Sequence, residues 1–359
     1  MCNKSVVFVA HRFLPGQDCA INAVHSESPE KNKKLENVTI NTERNKETIK
    51  AAERHRQYIQ DQSSASAVSL TKSIEREEPK MSKKLPVGIQ VYGLRDLLEN
   101  TPENFKNVMQ QVKDLGYDGV ELAGLYGLTP EYVKEVLDEI GLIPISAHVA
   151  FAEMMEDLDT IIADYKKIGV KFLVMPYMAE EYRPVNPEGF KKFLPMLNEV
   201  GKKIHDAGMT FLYHNHDFEF VKMEDGQWGY DVMFGSIPHD NLMPELDTCW
   251  CDVATGDAPG FIRKYTDRIP VVHLKDYIKK GEVKNMYKLI GIEEEESEGD
   301  TGYFGFRPVG FGQMIWEPVL EASLDANAQW VIVEQDEHYE LEPMECARRS
   351  REYLKILGW

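Results

Sequence analysis

Residues 101–122 read TPENFKNVMQQVKDLGYDGVEL, and this stretch sets the pattern for most of the chain. Thr101-Pro102-Glu103 is a helix start, with a hydroxyl to cap the first free N–H groups and proline where its missing N–H does no harm. Phe105, Val108, Met109 and Val112 follow at helical spacing, and Gly116 stops the helix. Gly119-Val120-Glu121-Leu122 then reads as a short buried strand carrying one acid near its end. Thr129-Pro130-Glu131 opens the next helix, which stops at Gly141, and Asn186-Pro187-Glu188 opens another that ends near Gly208.

Working outward, strand-like runs occur at Val87 to Tyr92, Gly119 to Leu122, Ile143 to His148, Phe172 to Met175, Thr210 to His214, Leu242 to Asp247, Val271 to Leu274 and Trp330 to Glu334. Eight strands alternating with helices predict an α/β fold, a parallel (β/α)8 barrel of the TIM type, over residues 85–359. The continuous apolar strands suit a sheet covered on both faces. A doubly wound open sheet is the alternative. Against it, the first strand is followed by Tyr92-Gly93-Leu94-Arg95-Asp96, not by a glycine-rich dinucleotide fingerprint.

Residues 1–80 are of another kind. They are rich in Asn, Lys, Glu, Ser and Gln and lack sustained periodicity, and a helix over Glu43 to Gln60 has almost no apolar stripe to dock. We expect a disordered extension, or sequence translated from upstream of a true start at Met81-Ser82-Lys83-Lys84. The extension holds 13 Lys+Arg and 11 Asp+Glu of the totals of 41 and 60, which leaves 28 and 49 for residues 81–359 and a net charge of −21 there. Such acidity argues against a nucleic-acid partner and against an anionic membrane surface. No apolar run reaches the roughly 20 residues that a membrane span needs. Cys2, Cys19, Cys249, Cys251 and Cys346 are odd in number and scattered, as expected of a reducing cytoplasm, and Cys249-Trp250-Cys251 reads as packing on a strand.

In a barrel of this type, chemistry sits at the C-terminal strand ends. Those ends carry Gln90 and Tyr92, Glu121, His148, Pro176, His214 and His216, Glu245 and Asp247, His273 and Lys275, then Glu334 and Asp336. Polar side chains that are costly inside a barrel thus recur at one edge. The mixed imidazole and carboxylate set suits one divalent ion: Mn²⁺ first, with Zn²⁺, Co²⁺ or Mg²⁺ as alternatives. Tyr213-His214-Asn215-His216-Asp217-Phe218-Glu219-Phe220 is the densest part, with two imidazoles on one side of a strand and a carboxylate just beyond.

Gly119-Val120-Glu121-Leu122, Tyr213-His214-Asn215-His216, Glu245-Leu246-Asp247-Thr248, Val272-His273-Leu274-Lys275-Asp276, Gly310-Phe311-Gly312 with Trp316, and Val333-Glu334-Gln335-Asp336 stand in the order found in sugar isomerases and epimerases with a xylose-isomerase-like barrel. Residues 85–359 resemble that family, which also contains endonuclease IV. The resemblance implies one divalent metal held at the ends of strands five to eight by Glu, Asp, His and Glu. Asp247, His273 and Glu334 match the last three, and His214 stands where the first glutamate is usual. His216 is the rival first ligand.

The implied activity is isomerisation or epimerisation of a sugar or keto-sugar through a metal-stabilised enediolate. The family's two acid/base glutamates are reduced here to Glu334, with Glu219 as a substitute carboxylate. His148 and Lys275 complete the expected catalytic groups; His216, Gln90, Trp250 and Arg307 are the expected substrate-binding ones. Glu121 reads as a structural acid, and an ion pair with a neighbouring acid such as Asp276 is the alternative to a substrate role for Lys275. Glu293-Glu294-Glu295-Glu296 is a solvated run in a long insertion that also contains Gly302, Gly305 and Arg307 and is a candidate lid. Other outcomes on the same site are elimination of the aglycone of a 3-keto-glycoside, or binding of a carbohydrate without catalysis. A nuclease like endonuclease IV is disfavoured, because Trp250 occupies the place of a further strand-six histidine and the barrel is acidic. Self-association into a homo-oligomer through the outer helices is expected.

Overall fold

The computed structural model describes residues 84–98, 101–281, 283 and 302–359. The expected N-terminal extension, the helix over Glu43 to Gln60 and the acidic run at Glu293–Glu296 lie outside the described residues.

Eight parallel strands close into a barrel: β1 (Val87–Gln90), β2 (Gly119–Leu122), β3 (Ile143–His148), β4 (Phe172–Met175), β5 (Thr210–His214), β6 (Met243–Asp247), β7 (Val271–Leu274) and, after an inserted hairpin, β10 (Trp330–Val333). The hairpin pairs β8 (Asp276–Lys280) with β9 (Tyr303–Arg307) in antiparallel register. The strand order around the barrel is β1-β10-β7-β6-β5-β4-β3-β2, so β10 closes the ring against β1 with Val87 opposite Val331. The main helices are α1 (Pro102–Leu115), α2 (Pro130–Ile140), α3 (Phe151–Ile168), α4 (Pro187–Asp206), α5 (Gly229–Ser236), α6 (Thr248–Thr255), α7 (Ala258–Lys264), α8 (Trp316–Asp325) and α9 (Pro343–Ile356).

The caps read from the sequence form. The hydroxyls of Thr101 and Thr129 accept from the N–H groups of Asn104 and Tyr132, and Gly116 and Gly141 end their helices in the left-handed region, at φ 91° and 76°. The apolar stripe of α1 buries Phe105, Val108, Met109 and Val112 against the sheet. A second apolar cluster fills the barrel: Ile145, Phe172, Val174, Leu212, Val271 and Ile332. Gly88 makes room for it, since a Cβ there would come within 2.5 Å of Ile145 Cδ1.

Three boundaries differ from the sequence reading. β1 ends at Gln90 because its side chain accepts from the Tyr92 N–H and turns the chain into a 3-10 turn, Val91–Leu94. β6 starts at Met243, and β10 ends at Val333. Cys249-Trp250-Cys251 is not strand: Asp247 caps α6, its Oδ1 accepting from the Trp250 N–H at 2.9 Å, and both thiols are buried in the first turns.

Lys275 does pair with neighbouring acids, Asp336 at 2.7 Å and Glu334 at 3.1 Å, but not with Asp276. Asp276 instead gathers the loop behind the hairpin, accepting from the N–H groups of Gly310 (2.9 Å), Gly312 (3.0 Å) and Met314 (3.1 Å) and from Trp316 Nε1 (3.1 Å). Asp276→Ala leaves these buried donors without an acceptor. It is expected to cost about 3–5 kcal/mol of unfolding free energy in a urea titration; a loss below ~1 kcal/mol contradicts this anchoring role.

Candidate metal centre

The strand pleat builds the site. Side chains two apart on a strand share a face, so the positions following the barrel's apolar plug also point inward. Leu212 leads to His214, Met243 to Glu245 and Asp247, Val271 to His273 and Lys275, and Ile332 to Glu334. The inward face therefore changes from hydrocarbon to ionisable groups at one level of the barrel. All of these groups are buried.

They form two adjoining sets that share His214 and His273. The inner set centres on Glu245 Oε1, which meets His148 Nε2 at 2.8 Å, His273 Nε2 at 3.0 Å and His214 Nδ1 at 3.2 Å. Glu121 Oε1 reinforces it, 2.7 Å from His273 Nε2 and 3.1 Å from His148 Nε2. Glu121 is held by the Gln90 amide (2.8 Å) and the Ser146 hydroxyl, the structural part expected of it. The outer set is His214, Asp247, His273 and Glu334, whose candidate ligand atoms all lie within 4.8 Å of one another. Here His214 presents Nε2, 3.8 Å from Asp247 Oδ2 and 3.7 Å from Glu334 Oε2, while His273 presents Nδ1, 2.9 Å from Glu334 Oε2. Each imidazole thus turns one nitrogen to the inner carboxylates and the other to the outer ones.

Burial and partners pull the titrations apart. Burial opposes protonation of His148, but Glu121 and Glu245 outweigh it and lift its pKa to about 10. His273 is likewise raised, by Glu245, Glu121 and Glu334 against the effect of burial. Burial depresses His214 to about 4 and holds His216 well below its usual value. Asp247 is pushed up to about 7 by burial, with Lys275 opposing. Lys275 stays charged despite burial because Asp336 (2.7 Å), Glu334 (3.1 Å) and Asp247 (3.7 Å) surround it.

A divalent cation fits the outer set. Asp247 Oδ1 is used by the helix cap, and Asp247 Oδ2 is buried without a hydrogen-bond partner. An acceptor in that state, beside two imidazole nitrogens and a second carboxylate, is a donor set suited to Mn²⁺ or Zn²⁺. Asn215 fixes Asp247 from behind, its Oδ1 accepting from the Asp247 N–H at 3.0 Å. The inner carboxylates are placed to orient the two histidines.

A cavity of about 270 Å³ opens beside the outer set. His148, His214, His216, Lys275 and Glu334 face it, as do Asp336 and Tyr92, to which the sequence assigned no role. The expected ligands Asp247 and His273 do not line it, and four other expected site residues are turned away from it. Glu219 is buried behind β5, where it accepts from the Tyr213 hydroxyl and from the His216 N–H (2.8 Å); it holds the His216 loop and cannot reach a substrate. Gln90 is committed to Glu121 and the Tyr92 N–H. Trp250 is fully enclosed, stacked on Phe304 with ring centroids 5.6 Å apart and lying 5.4 Å from the His216 ring, because α6 begins immediately after β6. Arg307, on β9, donates to the Tyr303 hydroxyl at 2.7 Å and lies over the Tyr339 ring. Glu153 and Tyr177 also line the cavity, and sequence reasoning missed both. Tyr177 lies two residues past β4, a position that a survey extended beyond the strand ends would have caught.

The barrel has counterparts among known proteins. A 24% identical relative over 280 residues, covering 72% of this chain and 90% of its own length, is an inosose dehydratase from Clostridium perfringens (strain 13 / Type A). Among solved structures, a sugar phosphate isomerase/epimerase from Parabacteroides distasonis ATCC 8503 superposes with a TM-score of 0.56 at 19% identity, over 80% of this chain and 98% of that one. An IolI protein solved with a bound zinc atom superposes with a TM-score of 0.57 at 16% identity, over 76% and 98%. Residues 109–357 match the model of one family, and the chain belongs to it: the xylose isomerase-like TIM barrel family.

Proposed function

We propose that this chain is a divalent-metal-dependent isomerase or epimerase of a sugar or keto-sugar. The observation that carries this reading is the convergence of His214 Nε2, Asp247 Oδ2, His273 Nδ1 and Glu334 on one buried spot, of which His214 and Glu334 reach the cavity wall. When bound there, a divalent ion supplies Lewis acidity to a carbonyl and its neighbouring hydroxyl, which makes the adjoining C–H more acidic. The chain's own groups do the rest. Glu334 is the carboxylate that takes the proton from carbon. Lys275 Nζ, charged and fixed by Asp336 and Glu334, donates to a substrate oxygen. His148 hydrogen-bonds a hydroxyl from the β3 side. His216 faces the same cavity from the end of β5, three strands around the ring from β10 and Glu334. Glu334 returning its proton to the neighbouring carbon interconverts aldose and ketose; inversion needs Glu334 to keep that proton while a second one, drawn from solvent, reaches the opposite face along the His216 side, after which Glu334 releases its own to solvent.

Elimination is the second reading. It is favoured by the imidazole at His214, where a second carboxylate would serve two-sided proton transfer, and by the relative that is an inosose dehydratase. In this reading, Glu334 takes the same proton and the protonated Lys275 assists departure of a β-oxygen. Manganese suits the mixed donor set, and zinc has the support of the zinc-bound neighbour.

Elemental analysis of purified wild type is expected to give about one divalent ion per chain. His214→Ala should lose it and His216→Ala should keep it; full metal in His214→Ala contradicts the ligand assignment. In D₂O, metal-replete protein is expected to place deuterium beside the carbonyl of a ketose substrate. His216→Asn should keep this exchange and lose epimer formation by about 10²- to 10⁴-fold. A conjugated enone product in place of an epimer selects elimination, and absence of exchange with every ketose tested contradicts proton-transfer catalysis.

A further inference from the structure

We infer that the inserted hairpin is a positioning element for His216: Phe304 on β9 acts through Trp250 to hold the His216 ring on the cavity wall. The inference rests on the reading of the site as one of proton transfer at carbon, and it gives the hairpin control over which face of the carbon a proton reaches.

The four imidazoles of the site are not held alike. His148, His214 and His273 each meet a buried carboxylate at 3.2 Å or less. His216 Nδ1 is buried without a hydrogen-bond partner. What packs on this ring is other rings. Phe218 stacks on it with centroids 5.1 Å apart and planes 6° apart, and Trp250 leans against it at 5.4 Å and 38°. The run of ring contacts continues in both directions. The Arg183 guanidinium lies 4.2 Å over Phe218. Phe304 stacks on Trp250 at 5.6 Å and 17°, and Tyr277 on Phe304 at 5.4 Å and 28°. An imidazole whose buried nitrogen has no hydrogen bond takes its orientation from the faces packed against it.

The last two rings belong to the hairpin, Tyr277 to β8 and Phe304 to β9. The hairpin is tied to the helix that carries Trp250: the Tyr277 hydroxyl donates to Asp252 Oδ2 on α6 at 2.7 Å. Phe304 is 6% exposed, and Phe306 of the same strand meets the Trp250 ring at 5.8 Å and 84°. The indole is thus gripped on its face and edge-to-face by two rings of β9, and it passes that constraint to His216.

The consequence is stereochemical. Exchange through Glu334 alone returns a solvent deuteron to the face it left, whereas inversion uses the opposite face, along the His216 side. A loosened His216 ring therefore spares exchange and spoils inversion. The test uses the zinc-loaded full chain with ¹³C at the histidine Cε1 positions, the His216 signal being identified by its loss in His216→Asn. Phe304→Leu, with Phe304→Met as a second variant of different shape, is expected to shift the His216 signal as the ring leaves the faces of Trp250 and Phe218. With a ketose in D₂O, the same variants are expected to keep metal and deuterium exchange and to lower the ratio of epimer to exchange by about tenfold or more. Phe304→Tyr keeps a ring at this place and is expected to restore both signal and ratio. An unmoved His216 signal in the Leu and Met variants overturns the positioning. A moved signal with an unchanged ratio, or equal loss of exchange and epimer, overturns its stereochemical consequence. Absence of exchange with every ketose overturns the isomerase reading and that consequence together, while the ring signal still decides the positioning.

Discussion

The structure depends on compensating the carboxylates buried at one end of the barrel. Glu121, Glu245, Asp247, Glu334 and Asp336 are all nearly or fully enclosed, and a carboxylate without a partner at such a depth costs several kcal/mol. The compensation is specific. Glu121 and Glu245 pair with His148 and with Nε2 of His273, and Asp336 and Glu334 hold Lys275. Asp247 Oδ2 is left with cations no nearer than Lys275 at 3.7 Å and a neutral imidazole at 3.8 Å. That remaining oxygen marks where the set has room for an ion. The apolar plug beneath, from Ile145 to Ile332, keeps water from relieving the charges from below.

Much of this was legible in the sequence because two periodicities carry it. Capped helices with glycine stops and short apolar strands define the barrel, and the alternation of side chains along each strand places His214, Asp247, His273, Lys275 and Glu334 on the inner face. Strand spacing does not reveal where a strand gives way to a helix or a turn. Trp250 was read as strand-like and is inside a helix; Gln90 ends its strand by binding its own backbone; Glu219 folds back onto Tyr213. Each of these side chains is of a type that could serve a sugar, and each is diverted by a local backbone bond that spacing does not encode. Glu153 and Tyr177 were missed for the opposite reason: they approach the cavity from a helix start and a loop, where only the closed barrel brings them near His148 and His216.

The imidazole at His214 gives the site its character. With Glu245 on Nδ1, Nε2 is left to face the outer carboxylates, so the histidine can act as a neutral ligand where a carboxylate would add charge. In the proposed reading the outer set carries two carboxylates, which suit a divalent ion, and Glu334, the one of them that lines the cavity, exchanges a proton with substrate carbon. On that reading, two-sided proton transfer draws on a path from outside the ligand set, and His216 lines the cavity three strands away from Glu334. Proton transfer from a single side leads to aldose–ketose interconversion or, where a β-oxygen departs, to elimination.

The central claim is that the outer set, not the inner one, holds the ion. Anomalous diffraction at the absorption edge of the bound metal tests it most directly. The account predicts a single peak about 2.0–2.3 Å from His214 Nε2, Asp247 Oδ2, His273 Nδ1 and a Glu334 oxygen. A peak between His148, Glu245 and His273, or no peak in protein saturated with manganese and zinc, would contradict it.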